Sequence, residues 1–235
     1  MATRVLLEIC VESVDYAVAA ERAGADRIEL CSDLLCGGVT PDGTLMREVR
    51  ERVRIPVHVL IRPRPGNFWY SEREFEIMKR DIVAAKEIGL SGVVLGVLDT
   101  SSHVDQERTR ALVQLAHPLP VTFHRAFDQC ADLTAALEAV ITAGAKRILT
   151  SGGATRALDG LVDLTHLVRL AGDRIVIMPG GGVRSENIER ILRSAGAHEI
   201  HSSLGASDPK SSGTQQVGLF EARVRKFKDA LQMLS

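Results

Sequence analysis

One motif recurs at the joints where a helical stretch hands over to an apolar one, and it limits the folds open to this chain. Ala23-Gly24-Ala25-Asp26-Arg27-Ile28-Glu29-Leu30 returns in kind as Ala143-Gly144-Ala145-Lys146-Arg147-Ile148-Leu149-Thr150 and as Ala195-Gly196-Ala197-His198-Glu199-Ile200-His201-Ser202. A looser copy is Ile88-Gly89-Leu90, leading into Gly92-Val93-Val94-Leu95-Gly96. Each follows a segment with helical periodicity, such as Val14, Ala17, Val18 and Ala20. A glycine just past a helix supplies the positive φ that ends it, and the apolar run after it is a short buried strand.

Four more apolar runs lie between the copies: Val5–Cys10, Val57–Arg62, Val121–His124 and Ile175–Met178, two of them introduced by Pro56 and Pro120. Proline is acceptable as the first residue of a strand, where no ladder hydrogen bond is lost. The helical segments between the strands run through Val14–Ala23, Leu45–Val53, Glu72–Ile88, Gln106–Leu115, Leu133–Ala143, Leu158–Leu170, Ser185–Ser194 and Leu219–Leu231. Strands alternating with helices predict right-handed βαβ units on a parallel sheet. Eight such units in 235 residues predict a closed (β/α)₈ TIM barrel, α/β in class, with residues 1–235 as a single domain. No G-x-G-x-x-G follows the first strand, which removes the dinucleotide-binding open sheet and any nucleotide cofactor of that kind. The polar stretch Ser203–Gly218 is expected to be a loop over the barrel mouth.

Net charge of −1 carries no electrostatic footprint for nucleic acid or an anionic membrane, leaving a small molecule, a metal ion or a protein as partner. The apolar run near the N-terminus is broken by Glu8, unlike a secretory leader, and no stretch approaches the ~18–20 apolar residues of a spanning helix. Cys10, Cys31, Cys36 and Cys130 form no C-x-x-C pair and no disulfide framework, so free thiols in a reducing cytoplasm are expected.

Barrel active sites form at the C-terminal ends of the strands. Those ends carry Glu8 and Cys10, Glu29 and Cys31, Arg62, His124 with Arg125 and nearby Asp128, and His201. Charged groups in apolar strands need partners, either as salt bridges closing the barrel or as a preorganised acid–base site. In the second case Glu8 or Glu29 would be a general base, His124 an acid, and Arg62 and Arg125 a clamp on an anion. Glycine-rich turns at Ser151-Gly152-Gly153 and Gly180-Gly181-Gly182 offer backbone N–H groups to a phosphate, or simply make tight turns. The period of two places Cys10 and Cys31 on the same face as Glu8 and Glu29, with Cys36 on the loop beyond. Thiolates suit Cu(I), but cysteine is usually a small buried hydrophobe and no strong ligand spacing is present. His58 is expected to be structural, His103, His117, His166 and His198 solvated, and Phe68-Trp69-Tyr70 a lid or a subunit contact.

The chain resembles the CutC family of copper homeostasis proteins. The resemblance is carried by Leu7-Glu8-Ile9-Cys10-Val11-Glu12-Ser13, Gly24-Ala25-Asp26-Arg27-Ile28-Glu29-Leu30-Cys31-Ser32, Gly37-Gly38-Val39-Thr40-Pro41 and Ile61-Arg62-Pro63-Arg64. It continues through Pro120-Val121-Thr122-Phe123-His124-Arg125-Ala126-Phe127-Asp128, Leu149-Thr150-Ser151-Gly152, Met178-Pro179-Gly180-Gly181-Gly182 and Glu199-Ile200-His201-Ser202. It implies a cytoplasmic β/α barrel, often a homodimer, linked by name to copper binding and tolerance; were copper the cargo, Cys10 and Cys31 would be its thiolate ligands and His201 or Cys36 a third. Cys36 stands where the family usually has Glu, Pro65 and Asn67 where Gly and Asp are usual, and Ser101-Ser102 where Asp-Gly is common. The reading that competes with copper is an isomerase, epimerase or lyase on a small anionic or phosphorylated metabolite. Schiff-base chemistry is not expected, because the strand-adjacent lysine, Lys146, sits at the N-terminal end of its strand.

Overall fold

In the computed structural model, which describes residues 4–205 and 214–234, strand and helix alternate eight times. The strands are β1 (Leu6–Val11), β2 (Arg27–Leu30), β3 (Val57–Leu60), β4 (Gly92–Leu95), β5 (Val121–Phe123), β6 (Arg147–Thr150), β7 (Val176–Pro179) and β8 (Glu199–Ser202). The helices are α1 (Val14–Arg22), α2 (Gly43–Arg52), α3 (Glu72–Ile88), α4 (Gln106–Ala116), α5 (Leu133–Ala143), α6 (Leu161–Ala171), α7 (Ile188–Ala195) and α8 (Thr214–Gln232). All ladders are parallel, in the order β7-β6-β5-β4-β3-β2-β1-β8, and β7 packs beside β8 to give a nearly closed barrel. The expected (β/α)₈ architecture is the one found.

The joint glycines behave as their sequence context predicts. Gly24, Gly89, Gly144 and Gly196 have φ of 90°, 79°, 93° and 69°, the left-handed region that a side chain resists. Helix starts are fixed by side-chain caps: Ser13, Asp42, Asp105 and Asp132 accept the first free N–H groups, and Ser71 with Glu74 forms a capping box. The largest departure is at the end of the chain. Helix α8 begins at Thr214, five residues before its expected start and with Gly218 inside it, so part of the expected 203–218 loop is helix. Residues 206–213 lie outside the described residues. No described helix is long and apolar enough to cross a membrane.

The barrel interior is charged where most such barrels are filled by branched apolar side chains. Arg27, Gly92, Arg147 and Glu199 occupy one and the same position of the repeated joint motif, on β2, β4, β6 and β8. They therefore lie at one level inside the barrel. Arg27 donates to Glu8 on β1, to Glu199 on β8 at 2.5 Å and to the Met178 thioether on β7 at 3.3 Å. Arg147 closes the chain on Glu199 at 2.9 Å. These partners sit on strands that do not all neighbour one another, so the contacts cross the interior. Gly92 leaves the fourth place open, and His58 from β3 fills it: a Cβ at Gly92 would lie 2.5 Å from that ring. Burial lowers the His58 pKa to about 3, so it packs as a neutral ring.

Removing one member of this network strands charges that water cannot reach. Arg27→Leu should cost roughly 3–5 kcal/mol, because Glu8 is fully buried and loses its cation. Urea unfolding of the variant measures this; a cost below about 1 kcal/mol would show that the barrel does not depend on the pair.

Candidate metal and acid–base site

Strand register assembles the mouth directly above that charged layer. Glu8 stands opposite Arg27 on β2 and opposite His201 on β8, while Cys10 stands opposite Glu29. In a parallel ladder, paired residues share a face, so these five side chains converge on the barrel axis. His201 Nδ1 lies 2.8 Å from Glu8 and 3.4 Å from Glu29. Cys10 Sγ and Cys31 Sγ are 3.5 Å apart, and the Cys31 thiol also points at the Val11 carbonyl at 3.7 Å. The ligand atoms of Cys10, Glu29 and His201 all lie within 4.8 Å of one another.

Protonation follows from these neighbours. Burial pushes the Glu8 carboxyl up, but the Arg27 charge and the His201 hydrogen bond outweigh it and hold Glu8 far below the usual carboxylate range. Glu29 lacks a cation of its own at that distance. Burial, reinforced by the charge of Glu8 and opposed by His201, pushes it up to about 7. Burial works against a charged His201, yet Glu29 and Glu8 outweigh it and raise its pKa. The Cys10 thiol is pushed well above the ordinary thiol range, first by its hydrogen bond with Cys31 and then by burial and the nearby carboxylates. Two thiols, one poised carboxyl and one imidazole thus meet in a space from which water is largely excluded.

The other wall of the mouth is built differently. Arg62, at the end of β3, is buried and donates to the carbonyls of Cys36 (3.3 Å), Gly38 (2.8 Å) and Gly66 (2.9 Å). His124 follows β5, and its Nδ1 accepts the Ala126 N–H at 3.1 Å. That bond places the ring proton on Nε2. Burial and the Arg62 charge lower the His124 pKa to about 3, so the ring is neutral. A Cβ at Gly96 would lie 2.5 Å from this ring, as one at Gly92 would from His58. The Gly92-x-x-x-Gly96 spacing, from the start of β4 to the residue after it, therefore makes room for two imidazoles. Between the two walls lies a cavity of about 210 Å³, lined by Cys10, Cys31, Glu29, His201, Arg62 and His124, with Arg125, Gly181 and Ser203 along its outer part.

Several expected site residues serve other ends. Glu8 has its carboxylate held by Arg27 and His201. Asp128 is away from the cavity and accepts from Arg125 (2.7 Å), Thr150 (2.5 Å), Ser151 N (3.0 Å) and Gly153 N (3.1 Å). The Ser151–Gly153 amides expected to cradle an anion already hold this carboxylate, and Gly152 N goes to Thr150 Oγ1. Gly180 N is likewise spent on Thr150 O, and neither glycine turn runs straight into a helix, since α6 starts at Leu161 and α7 at Ile188. Of the second turn, Gly181 reaches the cavity, while Gly182 packs against Arg156. Arg125 reaches the cavity but is held by Asp128 and by Ser151 Oγ at 2.7 Å. Cys36 is exposed on a 3₁₀ turn (Leu34–Cys36), and its thiol, bonded to Asp33, is outside the cavity wall. Phe68 lines the cavity, Tyr70 is buried and Trp69 is half exposed. Among the described residues, Arg27, Arg147 and Glu199 are the functional-site supports that the sequence reading passed over; their shared place in the joint motif was the available signal.

The chain is thus an eight-stranded β/α barrel with paired thiols, a buried carboxyl and an imidazole at its mouth. Residues 5–206 match the CutC family model, and this chain belongs to the CutC family. It is 52% identical over 202 residues to the copper homeostasis protein cutC homolog of Mus musculus, covering 86% of this chain and 74% of that one. The Homo sapiens homolog is 51% identical over 208 residues, covering 88% and 76%. The solved CutC structure from Streptococcus agalactiae superposes with a TM-score of 0.80 at 34% identity, covering 85% of this chain and 98% of that one. Thiamine phosphate pyrophosphorylase from Pyrococcus furiosus, at a TM-score of 0.65 and 16% identity, shares the barrel alone.

The titrations carry a stability signature. Glu8 has a folded pKa below its ordinary 4.5, so its contribution is present above that value and is lost as pH falls. Glu29, at about 7 against 4.5, and His201, raised from 6.5, hold more protons folded than unfolded. Their contributions are complete at low pH and fade as pH rises through the folded values. Tm should therefore drop as pH rises from about 4.5 to 7, where Glu29 titrates, by several degrees at roughly 2–4 °C per kcal/mol for a chain of this size, with His201 extending the drop above 6.5. Glu29→Gln, neutral at every pH, should flatten that drop in a calorimetric pH series; an unchanged slope would assign the titration elsewhere.

Proposed function

We propose that this chain is a cytoplasmic copper homeostasis protein that takes Cu(I) as its cargo at the barrel mouth, through Cys10 and Cys31 with His201 as third donor. The observation that carries the reading is the 3.5 Å approach of two buried thiols, one of which, Cys10, also shares a cluster within 4.8 Å with His201 and Glu29. Thiolate and imidazole are soft-to-intermediate donors suited to Cu(I), and family membership points the same way. Sulfurs 3.5 Å apart are closer than the ~4.6 Å needed across a linear ion with metal–sulfur bonds of ~2.3 Å. The pair therefore suits a bent arrangement completed by a third donor, and the presence of His201 in the same cluster as Cys10 supports it in that role. Both thiols must lose protons to bind, and Glu29, hydrogen-bonded to Cys10 and poised near neutrality, is the group on hand to accept one. We propose in addition that the working form is a homodimer, as the family resemblance implies.

An anaerobic Cu(I) competition titration of the metal-free protein against a chromogenic chelator tests this. One equivalent should bind, at least 100-fold more weakly in the Cys10→Ser/Cys31→Ser double variant, while Cys36→Ser leaves affinity unchanged. Apparent affinity should tighten about tenfold per pH unit for each proton displaced. Equal affinity in the double variant, or loss in Cys36→Ser alone, would overturn the site.

A further inference from the structure

The thiol wall of the mouth accounts for only half of the cavity. Arg62 is a buried cation with no carboxylate within 4 Å among the described residues, unlike Arg27 and Arg147, which both hold Glu199. Its partners are three carbonyls and the Phe68 ring, whose centroid lies 4.8 Å from the guanidinium carbon. Its Nε has no hydrogen-bond partner, and the Tyr70 hydroxyl beside it is out of bonding geometry. Carbonyl dipoles solvate a guanidinium but leave its charge uncompensated, which is costly in an apolar surround. Across from it, His124 presents an N–H at Nε2 that also lacks a partner. Phe68 covers this ring as well, with centroids 4.9 Å apart. An arginine with no counter-charge and an imidazole with an unspent N–H thus share one cavity beneath one aromatic ring. Leu34, Leu60 and Leu149 supply an apolar remainder.

We infer that the mouth contains an oxyanion subsite, separate from the thiol pair, in which Arg62 and His124 receive the carboxylate or phosphate head of a small metabolite after Phe68 swings aside. The headgroup supplies the missing counter-charge to Arg62 and accepts the Nε2 proton of His124 in a hydrogen bond; no covalent step is involved. At about 210 Å³ the cavity falls below the range typical of drug-sized ligands, so the body behind the head is short and apolar. Phe68 is suited to the role of stopper because its backbone is held, by Leu98 N–H at 2.9 Å on its carbonyl, while the residue is only half buried. Opening then requires a side-chain rotation and leaves the loop in place.

Calorimetric titration of the metal-free full chain with inorganic phosphate and with butyrate, against chloride at matched ionic strength, tests the subsite and separates the two head chemistries. Saturable binding of either probe is expected, weakened at least tenfold by Arg62→Gln and by His124→Gln, and tightened by Phe68→Ala, which uncovers both donors. Because Arg62 also ties three carbonyls together, the Tm of each variant is measured alongside, and the His124→Gln result decides if Arg62→Gln does not fold. The Cys10→Ser/Cys31→Ser variant should keep anion binding even where Cu(I) is lost, which separates this subsite from the copper reading. No saturable binding beyond the chloride control, affinity indifferent to His124→Gln, or loss of anion binding with the thiols would each overturn it.

Discussion

Arg27 reaches from the base of β2 into the middle of the barrel and binds Glu8 and Glu199 at once, and the remainder of the interior is arranged around that junction. A barrel core of leucine and valine is held by area; this one is held by a chain of charges in which each member is needed to neutralise the next. Glu199 answers two guanidiniums, from Arg27 and Arg147, and so joins β2, β6 and β8 across the axis. An interior of this kind is no more stable than an apolar one of equal volume, because desolvation consumes most of the Coulomb gain. What it does provide is direction. Ion pairs fix the position of each carboxylate oxygen, whereas apolar packing fixes only volume.

The mouth inherits that direction. Glu8, pinned from below by Arg27, pins His201 from above, and His201 together with Glu8 sets the charge environment in which Glu29 titrates near neutrality. The two glutamates are alike in sequence context and opposite in behaviour, because Glu8 has the Arg27 guanidinium in contact while Glu29 has only the His201 ring, at 3.4 Å. The same contrast separates the three interior arginines. Arg27 and Arg147 are spent inside the protein, while Arg62 is surrounded by carbonyls and an aromatic ring. The mouth is consequently two-sided, with acids, thiols and an imidazole on the β1, β2 and β8 wall, and a cation and a neutral imidazole on the β3 and β5 wall.

Glycine shapes both walls by what it omits. Gly92, which opens β4, and Gly96, which follows it, stand where His58 and His124 would strike any larger residue. Gly38 and Gly180 do the same for Leu60 and Leu149. Their role is space inside the barrel, a different one from that of the joint glycines, which permit a left-handed turn. In the first of the glycine turns expected to bind an anion, Asp128 already holds the Ser151 and Gly153 amides.

The sequence by itself determined the barrel. Four glycine-terminated helices feeding apolar runs, interleaved with four more, leave few topologies, and hydrophobic period and turn chemistry are local properties that survive without tertiary context. It also located the mouth, because strand polarity and the period of two place Glu8, Cys10, Glu29 and His201 at one end without knowledge of their partners. Tertiary structure alone decided which polar residues are spent and which are free. That Cys10 meets Cys31, that Cys36 turns to Asp33, that Asp128 fills its own glycine loop and that Arg62 lacks a carboxylate all depend on register between strands distant in the chain. Even Arg27, Arg147 and Glu199, which share one position of a visible repeat, became an interior layer only on closure of the barrel. Their charges face one another across the axis, and no distance across an axis is encoded in the spacing along a chain.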